Sequence, residues 1–402
     1  MPASPPYSPK KVLQALLSAA DKALFDQAKN TMTDIEKKLA KKEWNGDDTS
    51  YARAALYQLD YWTNCTADTE QVKSSLAHLK KACALRDPPG ALIQDADGSF
   101  GPGTDVWFLK LDRSTDQILA REWPWPRPPM FLERINDPVR MVTYLEDLCW
   151  SDIARCRRDN RKELNLAISV IARLVMKGGQ AGYLSGPGFY PAFERFVRDW
   201  QDPATGFFGM TYITDANGNE VRTADLSLTF HMAHYVPHLI RWWPKLIDTL
   251  LGMKDGVYPQ GWRDGGTVMT DHNNYDVVEL FYRGWNHMEP QQRVAASSAV
   301  KELFDWCLSP TGSVKTDGNL VAPDPSDPVP DSFYFAAAFL DTVGFFDRSK
   351  RFWTADPLPD STAIKTGMAA LLRKKFNPYY TEIDDALTKL GVSEHPWTSV
   401  LL

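Results

Sequence analysis

Cysteine is scarce in this chain: five in 402 residues, at Cys65, Cys83, Cys149, Cys156 and Cys307, with no CxxC pair. That excludes a small disulfide scaffold and a structural zinc site of the usual kind, and the odd count leaves at least one thiol unpaired within a single chain. Residues 149 and 156 read as two turns apart on one helix, about 10 Å by rise, too far to bridge each other. No run approaches the roughly 18 uninterrupted apolar residues of a membrane span. There is no basic block either. Lys and Arg number 45 against 51 Asp and Glu, a net charge of −6, so the clustered cations that phosphate recognition needs are lacking and nucleic acid is not an expected partner. The opening MPASPPYSPKK has no apolar h-region, whereas Asn64-Cys65-Thr66 forms a sequon. An extracellular, monomeric protein is expected, with a cytoplasmic one as the alternative. GxGxxG, the P-loop and GxSxG are also absent, which disfavours nucleotide-driven and serine-hydrolase chemistry.

Aromatics, by contrast, are abundant: Trp 14, Tyr 15 and Phe 19, which must line either a core or a binding groove. Helical periodicity runs through residues 10–42, 50–62, 68–86, 138–158, 161–177, 189–200, 225–252, 274–308, 331–343 and 361–390. Strand-like alternation is confined to 207–213, ahead of the turn DANGN at 215–219. Long Gly/Asp/Pro loops separate the helices, and several precede an apolar helix opening with Asp, Ser or Asn as a candidate N-cap. QDPATGFFG before DLSLTFHM, YPQGWRDGG before DHNNYDVVELF and SPTGS before DSFYFAAAFL follow that template at 50–60 residue spacing. Helices apolar all round, such as 333–346, should be enclosed, and charged ones such as 157–173 should face water. Both demands are met by an all-α toroid of six or seven helical hairpins, (α/α)6 or (α/α)7, in one domain spanning 1–402, with function on the loop face.

Three constellations can carry chemistry. Asp271-His272-Asn273-Asn274-Tyr275-Asp276 stands at a predicted inner-helix N-terminus, with Tyr275, Glu279 and Tyr282/Arg283 along one face. Imidazole, amides, phenol and guanidinium at one helix end suit a negatively charged substrate group, with proton transfer at hand; the bland reading is that Asp271 or Asn273 caps the helix and the rest are satisfied core polars. The second, from Asp225 to His238, aligns Ser227, His231, His234/Tyr235 and His238, but no carboxylate completes a familiar metal spacing. In the third, residues 94–105 alternate Asp and Gly as a calcium loop does, without the closing Glu; an Asx-turn loop is the expected reading, with no cofactor, and calcium is the alternative. Trp107, Trp123, Trp125, Tyr190, Phe207, Phe208, Trp262 and Trp285 are candidates to line a sugar groove, WPWPRPP at 123–129 is a candidate strap, and Arg134 and Asn136 are placed to reach the cleft.

Toroids with a one-sided groove often handle carbohydrate by hydrolysis, with two carboxylic acids about 5–10 Å apart, or by elimination from uronic-acid polymers. Elimination needs the substrate carboxylate neutralised so that its α-carbon becomes acidic, and a Tyr or His as base. DHNNYD carries that second set: His272, Asn273, Asn274 and Arg283 as neutralisers and Tyr275 or Tyr282 as base, helped by Arg283 or His231. DLSLTFHM, YPQGW and DHNNYDVVELF, over residues 200–290, resemble the glucuronan-lyase group, polysaccharide lyase family 38. The resemblance implies β-elimination on a glucuronan-like polymer, with His231, His272 and Tyr275 in catalytic roles. Arg134, Tyr190, Trp262, Tyr282, Trp123, Trp125 and Asp225 are the expected substrate contacts, and an acidic polysaccharide is the expected partner. The main alternative is an (α/α) glycoside hydrolase using Asp225, Asp271, Asp276 or Asp331. A terpenoid cyclase, which shares Gln…Gly-aromatic loops, would need a DxDD motif that is not there, and a non-catalytic sugar-binding toroid is the remaining reading.

Overall fold

A computed structural model describes residues 7–44, 49–84, 94–100, 104–120, 127–181, 184, 186–309, 314, 329–374 and 387–391. The chain is mostly helical, as its periodicity predicts, and divides into two compact units. The first comprises Met1–Ile35, Thr49–Asp202 and Phe208–Ile240, and the second Glu36–Asp48, Pro203–Phe207 and Arg241–Leu402.

In the first unit the helices are α1 (Pro9–Ala15), α2 (Ala19–Trp44, which runs on into the second unit), α3 (Ser50–Cys65), α4 (Thr69–Ala84), α5 (Trp107–Ala120), α6 (Pro138–Leu148), α7 (Ile153–Cys156), α8 (Arg161–Ala181), α9 (Phe189–Trp200) and α10 (Leu226–Tyr235). Helix α5 lies outside the segments in which periodicity predicts helix. The 138–158 segment is not one helix: α6 ends at the Cys149 cap, and β1 (Trp150–Ser151) intervenes before α7. β1 pairs in parallel with β2 (Thr211–Ile213), which pairs antiparallel with β3 (Glu220–Arg222) across the expected 215–219 turn.

Helix α8 corrects an expectation. Its charge pattern predicted a water-facing helix, yet Leu164, Ala167, Ile168, Val170, Ile171, Ala172 and Leu174 are fully buried, and α8 packs against α5, α6, α9 and α10. The charges cluster in its first turn and are spent there. Arg161 pairs with Asp225, Lys162 with Asp60, and Glu163 accepts from Tyr61 and Tyr144, so the remaining stripe is free to bury.

The second unit holds α11 (Trp243–Gly252), α12 (Asp271–Gly284), α13 (Pro290–Cys307), α14 (Val329–Thr342) and α15 (Thr362–Lys374); α12 packs against α11, α13 and α14, and α15 against α14. Ala336 to Leu340 of α14 are fully buried, as an all-round apolar helix demands. The turn before α12 closes tightly at Gly261, where a Cβ would sit 1.9 Å from the Gly256 carbonyl carbon. Only glycine permits that approach, and it delivers Trp262 into the core.

Candidate functional site

The head of α12 gathers the densest polar group in the second unit. Thr270, rather than Asp271 or Asn273, is the N-cap, its Oγ1 accepting from the Asn273 N–H at 3.2 Å. With the cap supplied from outside, the side chains of the first turn are released for other contacts. Asn273 donates through Nδ2 to the Trp262 carbonyl at 3.0 Å, and Trp262 donates through Nε1 to the Leu250 carbonyl at 3.0 Å. Trp262 is only 3% exposed, so it is a core residue and not a groove wall. Phe207 and Phe208, also expected at a groove, are buried at 1% and 0% exposure.

Asn274 is buried, and its Nδ2 has no hydrogen-bond partner among the described residues. Tyr275, next in sequence, is buried with its ring about 6 Å from those of Tyr334 (6.2 Å) and Phe335 (6.1 Å). His272 leaves 46% of its side chain in solvent, its ring 4.3 Å from Phe335 and 5.6 Å from Tyr258. Its Nε2 lies 4.0 Å from Oδ2 of Asp276, the oxygen to which the Tyr258 phenol donates at 3.0 Å. Lys389 places its ammonium 5.2 Å from the Tyr334 ring centre. Asp271 Oδ1 accepts from Cys307 Sγ at 3.7 Å, and burial together with that carboxylate pushes the thiol well up.

Arg283 stands apart from this cluster. Eight residues of helix separate it from Tyr275, about 12 Å of rise, and its Nε donates to Glu279 Oε1 at 2.9 Å. Its charge is committed to a buried carboxylate. Tyr282 is part-exposed against Phe352.

The remaining expected contacts belong to the first unit. Asp225 is fully buried, caps α10 by accepting from the Leu228 N–H, and takes Arg161 through both oxygens at 2.5 and 3.1 Å. Both of its oxygens thus hold structural partners within the unit. His231 stacks on Tyr235 at 6.0 Å, and Arg173 lies over that same Tyr235 ring. Tyr190 is part-exposed, with its hydroxyl 3.1 Å from His238 Nε2. Arg134 lies over Trp107 and Tyr144. Trp123 and Trp125 fall outside the described residues, as does the Asp331 side chain.

The 94–105 loop does not fit calcium. Lys110 Nζ occupies the place of a cation, 2.9 Å from Asp97 Oδ2 and 3.9 Å from Asp95 Oδ2. The Ser99 backbone N–H and hydroxyl both donate to Asp97 Oδ1, the expected Asx turn. Gly98, at φ +81°, lies against the Pro128 carbonyl, and Gln94 clamps Arg127 through its amide, so the loop anchors the described end of the Pro/Trp strap. Among the described residues no group of three or more His, Cys, Asp or Glu could hold a metal ion. No described helix is long and apolar enough to cross a membrane.

Reading the sequence missed Tyr258, Tyr334, Phe335 and Lys389 around α12. Tyr258 sits in the YPQGW turn and Tyr334-Phe335 in DSFYF, segments already marked as loop-before-helix repeats; Lys389 carried no signal. No protein-family model, curated protein or solved structure matches the chain.

Proposed function

We propose that the chain is a polysaccharide lyase that cleaves a glucuronan-like uronic-acid polymer by β-elimination at the head of α12. The observation that carries this reading is the Asn274 amide, a buried donor with no acceptor among the described residues, next in sequence to the Tyr275 phenol. A buried polar group without a partner costs about 1–3 kcal/mol, which selection tolerates where a ligand completes the bond.

In the reaction, a uronate carboxylate accepts from Asn274 Nδ2, which withdraws charge and acidifies the adjacent C5–H. Tyr275 takes that proton, the C5–H electron pair becomes the C4–C5 double bond, and the C4–O bond breaks. The departing glycosidic oxygen receives a proton from the same phenol or from His272, whose solvent-facing ring is backed by Asp276. Tyr275 is buried, so its phenolate needs a cation. His272, when protonated, and Lys389 over the neighbouring Tyr334 ring are the candidates. The reading rests on the second unit alone. The (α/α) toroid of six or seven hairpins, in one extracellular domain, is part of the same proposal, supported by the packing of successive helices such as α3 on α4 and α12 on α13.

The hydrolase reading loses support. Asp225 is committed to Arg161, and Asp276 accepts from Tyr258. The test is absorbance near 235 nm during digestion of glucuronan, alginate, polygalacturonate and hyaluronan. The expected result is a rise with glucuronan. New reducing ends without that absorbance would mean hydrolysis, and neither signal on any polymer would end the proposal.

A further inference from the structure

We infer that Arg134 is the anchor of a separate carboxylate-binding site in the first unit. Arg134 ends a 3-10 turn, Met130–Arg134, whose Phe131 and Leu132 are buried along with the following Ile135. The turn is pinned from two sides. Trp107 Nε1 donates to the Phe131 carbonyl at 2.7 Å, and the Phe131 N–H donates to the Asp97 carbonyl at 3.2 Å.

The guanidinium itself lies 4.7 Å from the Trp107 ring centre and 4.8 Å from that of Tyr144, two rings set edge to face at 84°. Those rings are immobile. The Tyr144 hydroxyl donates to Glu163 Oε1 at 2.9 Å, and Tyr61 donates to Oε2 at 3.4 Å. Burial and Glu163 push the Tyr144 phenol far up, so it remains a neutral donor and the bond persists.

Arg134 is solvent-exposed, yet among the described residues none of its N–H groups meets an acceptor and no carboxylate pairs with it. Two rings set at 84° cannot both lie against the guanidinium face, so one of them meets an edge, and the planar group keeps its other donor edges for a ligand. The nearby buried carboxylate, Glu163, is already satisfied by two phenols and by Arg158 at 3.7 Å. An exposed guanidinium held against two rings suits a planar monoanion, which a guanidinium takes bidentately. The planar fork matches the two oxygens of a carboxylate, and Arg140, the neighbouring cation, already donates through Nη1 to the Glu133 carbonyl at 3.1 Å.

The site does not depend on elimination at α12. The test is isothermal titration of the full chain with sodium D-glucuronate, inorganic phosphate and D-glucose at matched ionic strength. The wild type is expected to bind glucuronate, to prefer it over phosphate, and to ignore glucose. R134Q should weaken glucuronate binding about tenfold or more, and R134K, which keeps charge but loses the planar fork, should fall between. Unchanged binding by R134Q, no glucuronate binding by the wild type, or tighter binding of phosphate would each overturn the inference. So would a lower melting temperature in R134Q with binding intact, which would make the stacking purely structural. A chain that binds glucuronate but gives no 235 nm signal leaves this site standing and removes the lyase reading.

Discussion

The Tyr258 phenol donates to Oδ2 of Asp276 at 3.0 Å, so a loop residue holds a carboxylate buried in α12, the same oxygen that faces His272 at 4.0 Å. Tyr258→Phe removes one donor from a buried anion. We expect a loss of about 1–3 kcal/mol in urea unfolding. If Asp276 orients His272, the pH profile of turnover shifts as well, which a purely structural bond would not cause.

Tyr275→Phe should abolish elimination by orders of magnitude while circular dichroism and melting stay as in the wild type, since the ring packing against Tyr334 and Phe335 survives. Full lyase activity in that variant would exclude Tyr275 as the base. Asn274→Leu separates function from stability. It deletes a buried donor with no partner among the described residues, so stability should hold within about 1 kcal/mol or rise, while turnover collapses.

Arg161→Gln leaves the fully buried Asp225 carboxylate without its bidentate partner. We expect about 3 kcal/mol of destabilisation, read as a shifted unfolding midpoint, because an uncompensated buried charge costs more than the pair contributes. Asp225→Ala should cost as much, since it also removes the α10 cap. Wild-type stability in either variant would reopen Asp225 as a substrate contact.

Calcium and EDTA should both leave the melting temperature unchanged, because Lys110 already neutralises the Asp95/Asp97 loop. Burial opposes charge on Asp97, but the Ser99 hydroxyl and Lys110 outweigh it and hold its carboxyl below the usual range. A folded-state value below the unfolded one gives stability that is present above the ordinary carboxylate range and lost as pH falls through the depressed value. Lys110→Met should therefore flatten that acid-side loss.

Of the free thiols, Cys156 is exposed and should label rapidly with iodoacetamide at pH 8. Burial pushes Cys65 up to about 12 and also raises Cys149 and Cys307, so these stay protonated and react only on unfolding. Mass spectrometry of the labelled peptides reads the order directly.

Much of the architecture was legible in one dimension, because periodicity reports which face is apolar. The helices around 50–65 and 189–200, the helix start at 271, the turn at 215–219 and the Asp225 cap all follow from local pattern, whereas the 274–308 segment is two helices and the strand at 220–222 had no signal. The signal failed where the partner lay far along the chain. Helix α8 reads as water-facing until Asp60, Tyr61, Tyr144 and Asp225 arrive to take its first-turn charges. Trp262 in a Gly/Pro turn reads as a groove wall until Gly256 and Gly261 close on each other and send it inward.

The candidate site divides the same way. Sequence alone brought imidazole, amides and phenol to one helix end, since neighbours in a helix stay neighbours in space. It could not say which amide is spent and which is open. Only tertiary packing decided that Asn273 is consumed by the Trp262 carbonyl and that Asn274 is left without an acceptor among the described residues, whereas the Arg283–Glu279 pair is an i,i+4 contact that helical spacing already offers. Hydrogen bonds and ion pairs are settled by distances of a few ångströms between residues that may be a hundred apart in the chain, and no local pattern encodes those distances.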